Sequence, residues 1–319
     1  MYRKIIGFLE AWKESEYRKP LILQGARQVG KTYSILEFGR THYENVAYFN
    51  FETNPKLNDA FAENIDPDYL IPILSGIARQ TIVKGKTLIV FDEVQFCERA
   101  LASLKYFCED APEHHIIAVS SLLGVAVNRT KFSFPVGKVD IKTLYPMDME
   151  EFMLALGEED LVAQIKECFS TNTPLPSALH DAAMQFYRQY LVLGGMPKCV
   201  MQFAETKDYI LVRHTQDTIL ASYLNDMSKY NNLNEIKKTR LAYDNITVQL
   251  SKKNTRFQYK LIKKGGRASE FENAIEWLCL SGIVSQVYKV EQIKKPLENY
   301  RDIDAFKIYV SDLGLLLSL

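Results

Sequence analysis

The chain has 319 residues, of which 47% are apolar and 24% charged, a composition that excludes wholesale disorder and fibrous repeats. Lys plus Arg balances Asp plus Glu at 39 each, so no whole-molecule charge attracts nucleic acid or an anionic membrane surface. The five cysteines include no Cys-x-x-Cys pair and no apolar run is long enough to span a membrane, so we expect a cytoplasmic protein without zinc, disulfides or a membrane partner.

The first half of the chain alternates strand and helix patterns. Apolar residues at helical spacing predict a helix from Ile5 that ends near Glu16, ahead of Pro20. Short apolar strands follow, most of them separated by helical patterns, at residues 21–23, 46–51, 87–91, 116–119 and 139–141. This order predicts an α/β fold whose mostly parallel sheet carries helices on both faces.

The second half of the chain has a different pattern. A helix is predicted from Met149 to Leu156, and residues 178–235 have helical patterns that are interrupted at residues 194–197. After residue 237 come a helix, a basic stretch, a helix from Ala268 to Leu280, and strands at 283–290 and 306–310. Helices followed by a two-stranded hairpin predict a winged helix.

A glycine-rich loop lies between the first strand and the next helix. Its sequence matches G-x-x-x-x-G-K-S/T, in which consecutive backbone N–H groups at a helix N-terminus hold a phosphate chain. Lys31 is expected to reach the β- and γ-phosphates, with a part in catalysis, and Thr32 to offer its hydroxyl to Mg²⁺. The alternative is a surface turn beside a helix. The predicted nucleotide-binding residues are Gly25, Ala26, Arg27, Gln28, Val29, Gly30, Lys31, Thr32 and Tyr33.

Two acids end the strand that begins at Thr87. Asp92 is placed to hold the magnesium shell, and Glu93 to orient and deprotonate the attacking water. The alternative is a pair of acids that cap the next helix. Together with the glycine loop, these acids predict a site for ATP and Mg²⁺ where ATP is hydrolysed.

Ser120 and Ser121 follow the fourth strand, at the edge where α/β sheets place ligand-contacting groups. We expect Ser121 to sense the γ-phosphate, and the alternative is that both hydroxyls cap the next helix. Lys138 and Arg129 are candidates for a charge on the transition state, although each also fits a solvated surface residue.

With these motifs the chain resembles bacterial and archaeal P-loop ATPases related to the AAA-plus and STAND groups, whose C-terminal half is of unknown function. The resemblance spans nearly the whole chain. In that family the position of Ser120 is commonly glycine. The matching stretches are GARQVGKT (25–32), LIVFDEVQ (88–95), SSLLGV (120–125), LYPMDMEEF (144–152), GGMP (194–197), NDMSKY (225–230) and YVSDLGLL (309–316).

The resemblance implies three domains: a P-loop ATPase core (1–157), a helical lid (158–235) and a winged helix (236–319). It also implies that the turn from Gly194 to Pro197 contacts the adenine side of the nucleotide, with Pro197 as a nucleotide-binding residue, and the alternative is a helix-breaking turn. Relatives carry a further domain that resembles a restriction endonuclease. This sequence ends at Leu319 before such a domain, so we expect no nuclease activity of these residues.

A basic stretch at residues 252–267 adjoins the predicted recognition helix. It has seven basic residues and no acid, with Phe257 and Tyr259 between them. This pattern indicates either a contact with duplex DNA or a solvated loop. We therefore consider three functions: a nucleotide-driven switch that associates with itself or with a protein partner, a DNA-binding protein regulated by ATP, and an ATP-binding scaffold without turnover. The basic residues are Lys252, Lys253, Arg256, Lys260, Lys263, Lys264 and Arg267.

Overall fold

The computed structural model describes residues 1–121, 134–230, 233–253 and 255–319, without the side chains of residues 229, 230 and 233. The chain divides into two compact units, Tyr2–Tyr145 and Pro146–Leu319. The first unit contains a five-stranded sheet and the second a two-stranded sheet.

The first unit is an α/β fold whose strands lie in the order β2-β3-β4-β1-β5, every neighbouring pair being parallel. This confirms the predicted P-loop NTPase sheet. The first helix ends at Glu14, slightly before the predicted end. The elements are α1 (Ile5–Glu14), β1 (Leu21–Gln24), α2 (Lys31–His42), β2 (Asn45–Asn50), α3 (Leu57–Ala60), α4 (Pro67–Ala78), β3 (Thr87–Asp92), α5 (Glu98–Asp110), β4 (His115–Ser120) and β5 (Asp140–Thr143).

The central strands are buried, as expected of a parallel sheet with helices on its faces. Every residue of β3 and of β4 is buried, which explains their continuous apolar runs. Phe51, Phe61 and Phe91 pack edge to face, with ring centroids 5.6 to 5.7 Å apart. These aromatic rings join the residue after β2, the strand β3 and the segment after α3 in one hydrophobic core.

Strand register brings several strand ends to the same edge of the sheet. Asn50 lies level with Asp92 in the β2–β3 pair, and Gln24 lies level with Ser120 in the β1–β4 pair. Because parallel strands all end at this edge, it is the place where α/β sheets bind ligands. The glycine loop after β1 and the two acids at the end of β3 therefore lie at the same edge of the sheet.

The second unit is helical and ends with a hairpin. The pair β6–β7 is antiparallel, and the last long helix has the bounds that the sequence predicted. Among the described helices, none is both long and apolar enough to cross a membrane. The elements are α6 (Met149–Ala155), α7 (Glu159–Ser170), α8 (Ser177–Leu193), α9 (Pro197–Thr206), α10 (Tyr209–Tyr230), α11 (Leu233–Asp244), α12 (Ile246–Leu250), α13 (Tyr259–Ile262), α14 (Ala268–Leu280), β6 (Val284–Val290), β7 (Arg301–Val310) and α15 (Leu313–Ser318).

The first unit ends at Tyr145, before the predicted domain boundary at residue 157. The difference arises because α6 packs against α7, α8 and α9 and so belongs to the second unit. The division of the remaining residues into a lid (158–235) and a winged helix (236–319) stays a prediction.

The turn at Gly194 and Gly195 is fixed by buried hydrogen bonds within the second unit. The Gly195 N–H donates to Asp312 Oδ2 at 2.6 Å, and the Gly195 carbonyl accepts from the Met147 N–H at 2.7 Å. A Cβ on Gly195 would lie 1.9 Å from the Met147 carbonyl oxygen, so no larger residue fits. Three of the stretches that carry the family resemblance therefore meet in one buried cluster.

Candidate functional site

The loop between β1 and α2 owes its shape to two glycines. Gly25 has φ 146° and Gly30 has φ 90°, a region of backbone conformation that favours glycine. A Cβ on Gly25 would lie 2.2 Å from the Leu144 carbonyl oxygen. Gly30 is the N-cap residue of α2, so it presents no side-chain oxygen to the first-turn amides. Those amides, with the helix dipole behind them, form a site suited to phosphate.

Arginine side chains hold the loop from two sides. The Arg3 guanidinium, only 4% exposed, donates to the Val29 carbonyl and to the Tyr145 carbonyl, each at 2.8 Å. Arg27 lies 3.6 Å from Glu52, just beyond β2. The loop is thus anchored both to the N-terminal segment and to the residue at which the chain leaves the first unit.

Lys31 lies inside the loop and is only 6% exposed. Its Nζ donates to the carbonyls of Gly25 and Ala26, each at 2.8 Å. Burial lowers the pKa of Lys31 to about 8, while the nearby Glu93 and Asp92 carboxylates raise it again. The ammonium is therefore charged near neutral pH and held where the loop curves around it.

The Asp92 carboxylate is buried and bound by several donors. Asp92 Oδ2 accepts from Thr32 Oγ1 at 3.0 Å and from the Tyr48 hydroxyl at 2.6 Å, and Asp92 Oδ1 accepts from the Glu93 N–H at 3.0 Å. Thr32 and Asp92 thus bring together a hydroxyl and a carboxylate, which are hard oxygen ligands of the kind Mg²⁺ prefers. The residues present fit the metal that the loop motif implies.

Glu93 stands in the left-handed region, with φ 52° and ψ 45°. Its Oε2 accepts from Ser121 Oγ at 3.0 Å and from Gln95 Nε2. Gln95 is fixed in turn because Ser120 Oγ donates to its Oε1 at 2.7 Å. The structure therefore places Ser121 beside Glu93, where its hydroxyl orients the carboxylate.

Arg3, Tyr48, Asn50 and Gln95 contact these residues but were not predicted as part of the site. Tyr48 and Asn50 alternate with the buried Ala47 and Phe49 in β2, and this alternation next to β3 is the signal that could have found them. Burial and the hydrogen bond to Asp92 raise the pKa of Tyr48 to about 12, so its hydroxyl is a donor at neutral pH. Gln95 lies in a short 3-10 turn directly after Glu93.

The other predicted residues are dispersed. Tyr33 is 57% exposed on the surface of α2, and Lys138 is paired with Glu109 at 2.8 Å. Pro197 is the first residue of α9 in the second unit. Arg129 lies outside the described residues.

Residues 17–153 match a family model described as an AAA domain, and residues 184–319 match one described as a domain of unknown function (DUF8612). No curated protein matches the chain.

Solved structures of similar fold include two whose similarity extends over nearly the whole chain. The Walker-type ATPase PABY2304 of Pyrococcus abyssi is 14% identical, with a TM-score of 0.59, over 99% of this chain and 95% of that chain. The ORC2 protein of Aeropyrum pernix, solved as ADPNP–ADP complexes, is 13% identical, with a TM-score of 0.52, over 97% of this chain and 90% of that chain. At such low identity the likeness concerns the fold alone.

Proposed function

We propose that this protein, whose residues 17–153 match a family model described as an AAA domain and whose residues 184–319 match one of a domain of unknown function, binds ATP with Mg²⁺ and hydrolyses it. One observation carries the proposal. The predicted site residues follow separate strands, yet hydrogen bonds join Thr32 to Asp92 and Ser121 to Glu93. A surface turn or a helix cap would not require these long-range contacts.

Binding rests on the loop and on the oxygen ligands. The first-turn amides of α2 and the Lys31 ammonium receive the phosphates, for which Lys31 exchanges its bonds to Gly25 and Ala26. Thr32 and Asp92 would hold a magnesium ion, which would supply positive charge beside the phosphate oxygens during transfer of the γ-phosphoryl group.

Hydrolysis needs a base beside the γ-phosphate. The Glu93 carboxylate takes a proton from water as the water oxygen bonds to the γ-phosphorus, while the bond from phosphorus to the β–γ bridging oxygen breaks. The products are ADP and phosphate. Ser121 and Gln95 donate to Glu93 Oε2 and so fix the direction of the base. A scaffold without turnover would not need the Glu93 carboxylate to be oriented in this way.

Release of phosphate from ATP on purified protein is the direct test. We expect turnover that requires Mg²⁺ and stops when EDTA removes the metal, because Thr32 and Asp92 bind phosphate oxygens only through the cation. ATP binding without turnover in the presence of Mg²⁺ would instead support the scaffold. Failure to bind ATP at all would contradict the site.

We propose further that hydrolysis drives a switch. The Arg3 guanidinium contacts the carbonyls of both Val29 and Tyr145, so a shift of the loop is transmitted to the point where the chain enters the second unit. A change of bonding at Lys31 on nucleotide binding is the event that shifts the loop. The second unit then carries the change to a partner, whether a protein or a second copy of the chain.

An ATP-regulated DNA-binding protein is the second candidate, and the exposure of all seven residues of the basic stretch favours it. Phe257 in this stretch is not available to DNA, because it is buried and its ring stacks on Phe306. Helix α14 exposes Glu272 and Glu276, which would repel phosphates in a groove. A DNA contact would therefore rest on the basic stretch rather than on this helix.

Salt dependence tests the DNA contact. Each lost phosphate contact lowers the slope of log affinity against log salt by about 0.9, whatever the base sequence. We expect a variant with Gln at five lysines of the stretch to lose duplex binding while ATP turnover persists. A control variant with Gln at five exposed lysines of the first unit should keep the DNA affinity of the parent. If the parent protein has no salt-sensitive affinity for duplex DNA, the DNA-binding function is contradicted. The test positions are Lys252, Lys253, Lys260, Lys263 and Lys264, and the control positions are Lys56, Lys84, Lys86, Lys105 and Lys142.

A further inference from the structure

A chain of hydrogen bonds from the end of β2 reaches the carboxylate of Asp92. The Tyr48 hydroxyl lies 2.6 Å from Asp92 Oδ2, and Asn50 Nδ2 lies 3.2 Å from the Tyr48 oxygen. Because β2 and β3 are adjacent, with Asn50 level with Asp92, both side chains lie beside the strand end that carries the acids.

The direction of these bonds follows from the loop after β2. Asn50 Oδ1 accepts from the N–H groups of Glu52 and Thr53, at 3.0 and 2.8 Å, so the amide oxygen faces the loop. The amide nitrogen must then face Tyr48 and donate to its oxygen. The Tyr48 hydroxyl therefore donates its own proton to Asp92 Oδ2. Tyr48 is therefore a donor to the carboxylate, and its orientation is set by the backbone of the neighbouring loop.

The carboxylate is consequently held from three directions. Asp92 Oδ2 accepts from Thr32 and Tyr48, with Asn50 Nδ2 more distant at 3.4 Å, and Oδ1 accepts from the backbone N–H that follows. A carboxylate oxygen offers two lone pairs, so the two hydroxyls occupy Oδ2, and Oδ1, which accepts from one backbone N–H, keeps a lone pair for the cation or for a water bound to it. Without the phenol, rotation of the carboxylate away from Thr32 would meet less resistance.

We propose that Tyr48 is a positioning residue for the magnesium site: its hydroxyl holds Asp92 in the orientation that the cation and Thr32 require. The inference rests on the proposed function, since it concerns the same metal. Residues that orient a metal ligand change metal affinity by about 10- to 100-fold when they are replaced. A tyrosine that only supports the sheet would change stability but not the dependence of nucleotide binding on Mg²⁺.

The test is Tyr48→Phe, with ATP affinity measured by calorimetry in Mg²⁺ and in EDTA. We expect the ratio of the two affinities to fall at least about tenfold, because the site binds the cation less well. Affinity in EDTA should stay unchanged. The matched control is Tyr43→Phe, which removes another phenol of the first unit, one that lies 2.7 Å from His115. This control should leave the ratio unchanged.

The outcomes separate the inference from the proposed function. If the ATP affinity of the parent protein does not depend on Mg²⁺, the proposed binding of ATP with Mg²⁺ is itself contradicted. If the ATP affinity of the parent depends on Mg²⁺ and Tyr48→Phe has the same ratio of affinities in Mg²⁺ and in EDTA, only the role of Tyr48 is contradicted. If Tyr48→Phe does not fold, Asn50→Ala keeps the phenol but removes its orienting amide, and it should lower the ratio in the same direction by a smaller factor. An unchanged ratio in that variant would also overturn the inference.

Discussion

Replacing Glu93 with Gln is expected to slow ATP hydrolysis at least about a hundredfold while ATP affinity stays near that of the parent. In the parent protein, Ser121 and Gln95 donate hydrogen bonds to Glu93 Oε2. The amide oxygen of Gln can accept the same hydrogen bonds, so we expect the side chain to keep its position. The amide cannot accept a proton from water at neutral pH. Single-turnover phosphate release and nucleotide binding, measured on the same protein, separate the two effects.

A matched control for Glu93→Gln is Glu109→Gln. Glu109 lies on α5, where it pairs with Lys138 at 2.8 Å on the surface, and its replacement should leave turnover unchanged. Turnover of Glu93→Gln equal to that of the parent would mean that Glu93 is structural. A smaller loss is expected for Ser121→Ala, because that change leaves the base in place and removes one of its orienting donors.

Sequence reasoning reached the loop and the acids because their chemistry is local. Gly25, Gly30, Lys31 and Thr32 follow a strand and begin a helix, and the pattern alone requires their backbone conformation and proximity. Both glycines have positive φ. The parallel sheet was also predictable, because apolar runs separated by helical patterns leave few other arrangements.

The donors around the acids were not predictable in the same way. Tyr48 meets Asp92 only because β2 is the neighbour of β3, and strand order is a property of the whole sheet. Gln95 reaches Glu93 only through the turn that follows β3, in which Glu93 adopts a left-handed conformation. Neither contact follows from spacing along the chain.

The Gly194–Pro197 turn illustrates a different limit. The resemblance assigned it to the adenine side of the nucleotide, and a contact of Pro197 with ATP stays a prediction. In the second unit the Gly195 N–H donates to the buried Asp312, and burial raises the pKa of that carboxyl group. A sequence motif can therefore reflect a packing requirement even where it resembles a ligand contact.

Lys31→Ala is expected to lower ATP affinity by at least about a hundredfold, because two charge-assisted hydrogen bonds to phosphate contribute about 3 kcal/mol or more. The change also leaves the carbonyls of Gly25 and Ala26 without their donor, so a modest loss of stability should accompany it. The sheet does not depend on Lys31, and we expect the far-ultraviolet circular dichroism spectrum to be retained. Equilibrium binding of ATP in Mg²⁺, together with urea unfolding of the free protein, measures both effects.

The control for Lys31→Ala is Lys86→Ala, which removes an exposed lysine that lies 2.8 Å from Glu44 in the same unit. Because a surface ion pair contributes little, this variant should match the parent in stability and in ATP affinity. The contrast isolates the buried ammonium, since both changes remove one lysine charge from the first unit. A folded Lys31→Ala protein with the ATP affinity of the parent would show that the phosphates bind elsewhere, and it would contradict the site however well Glu93→Gln behaved.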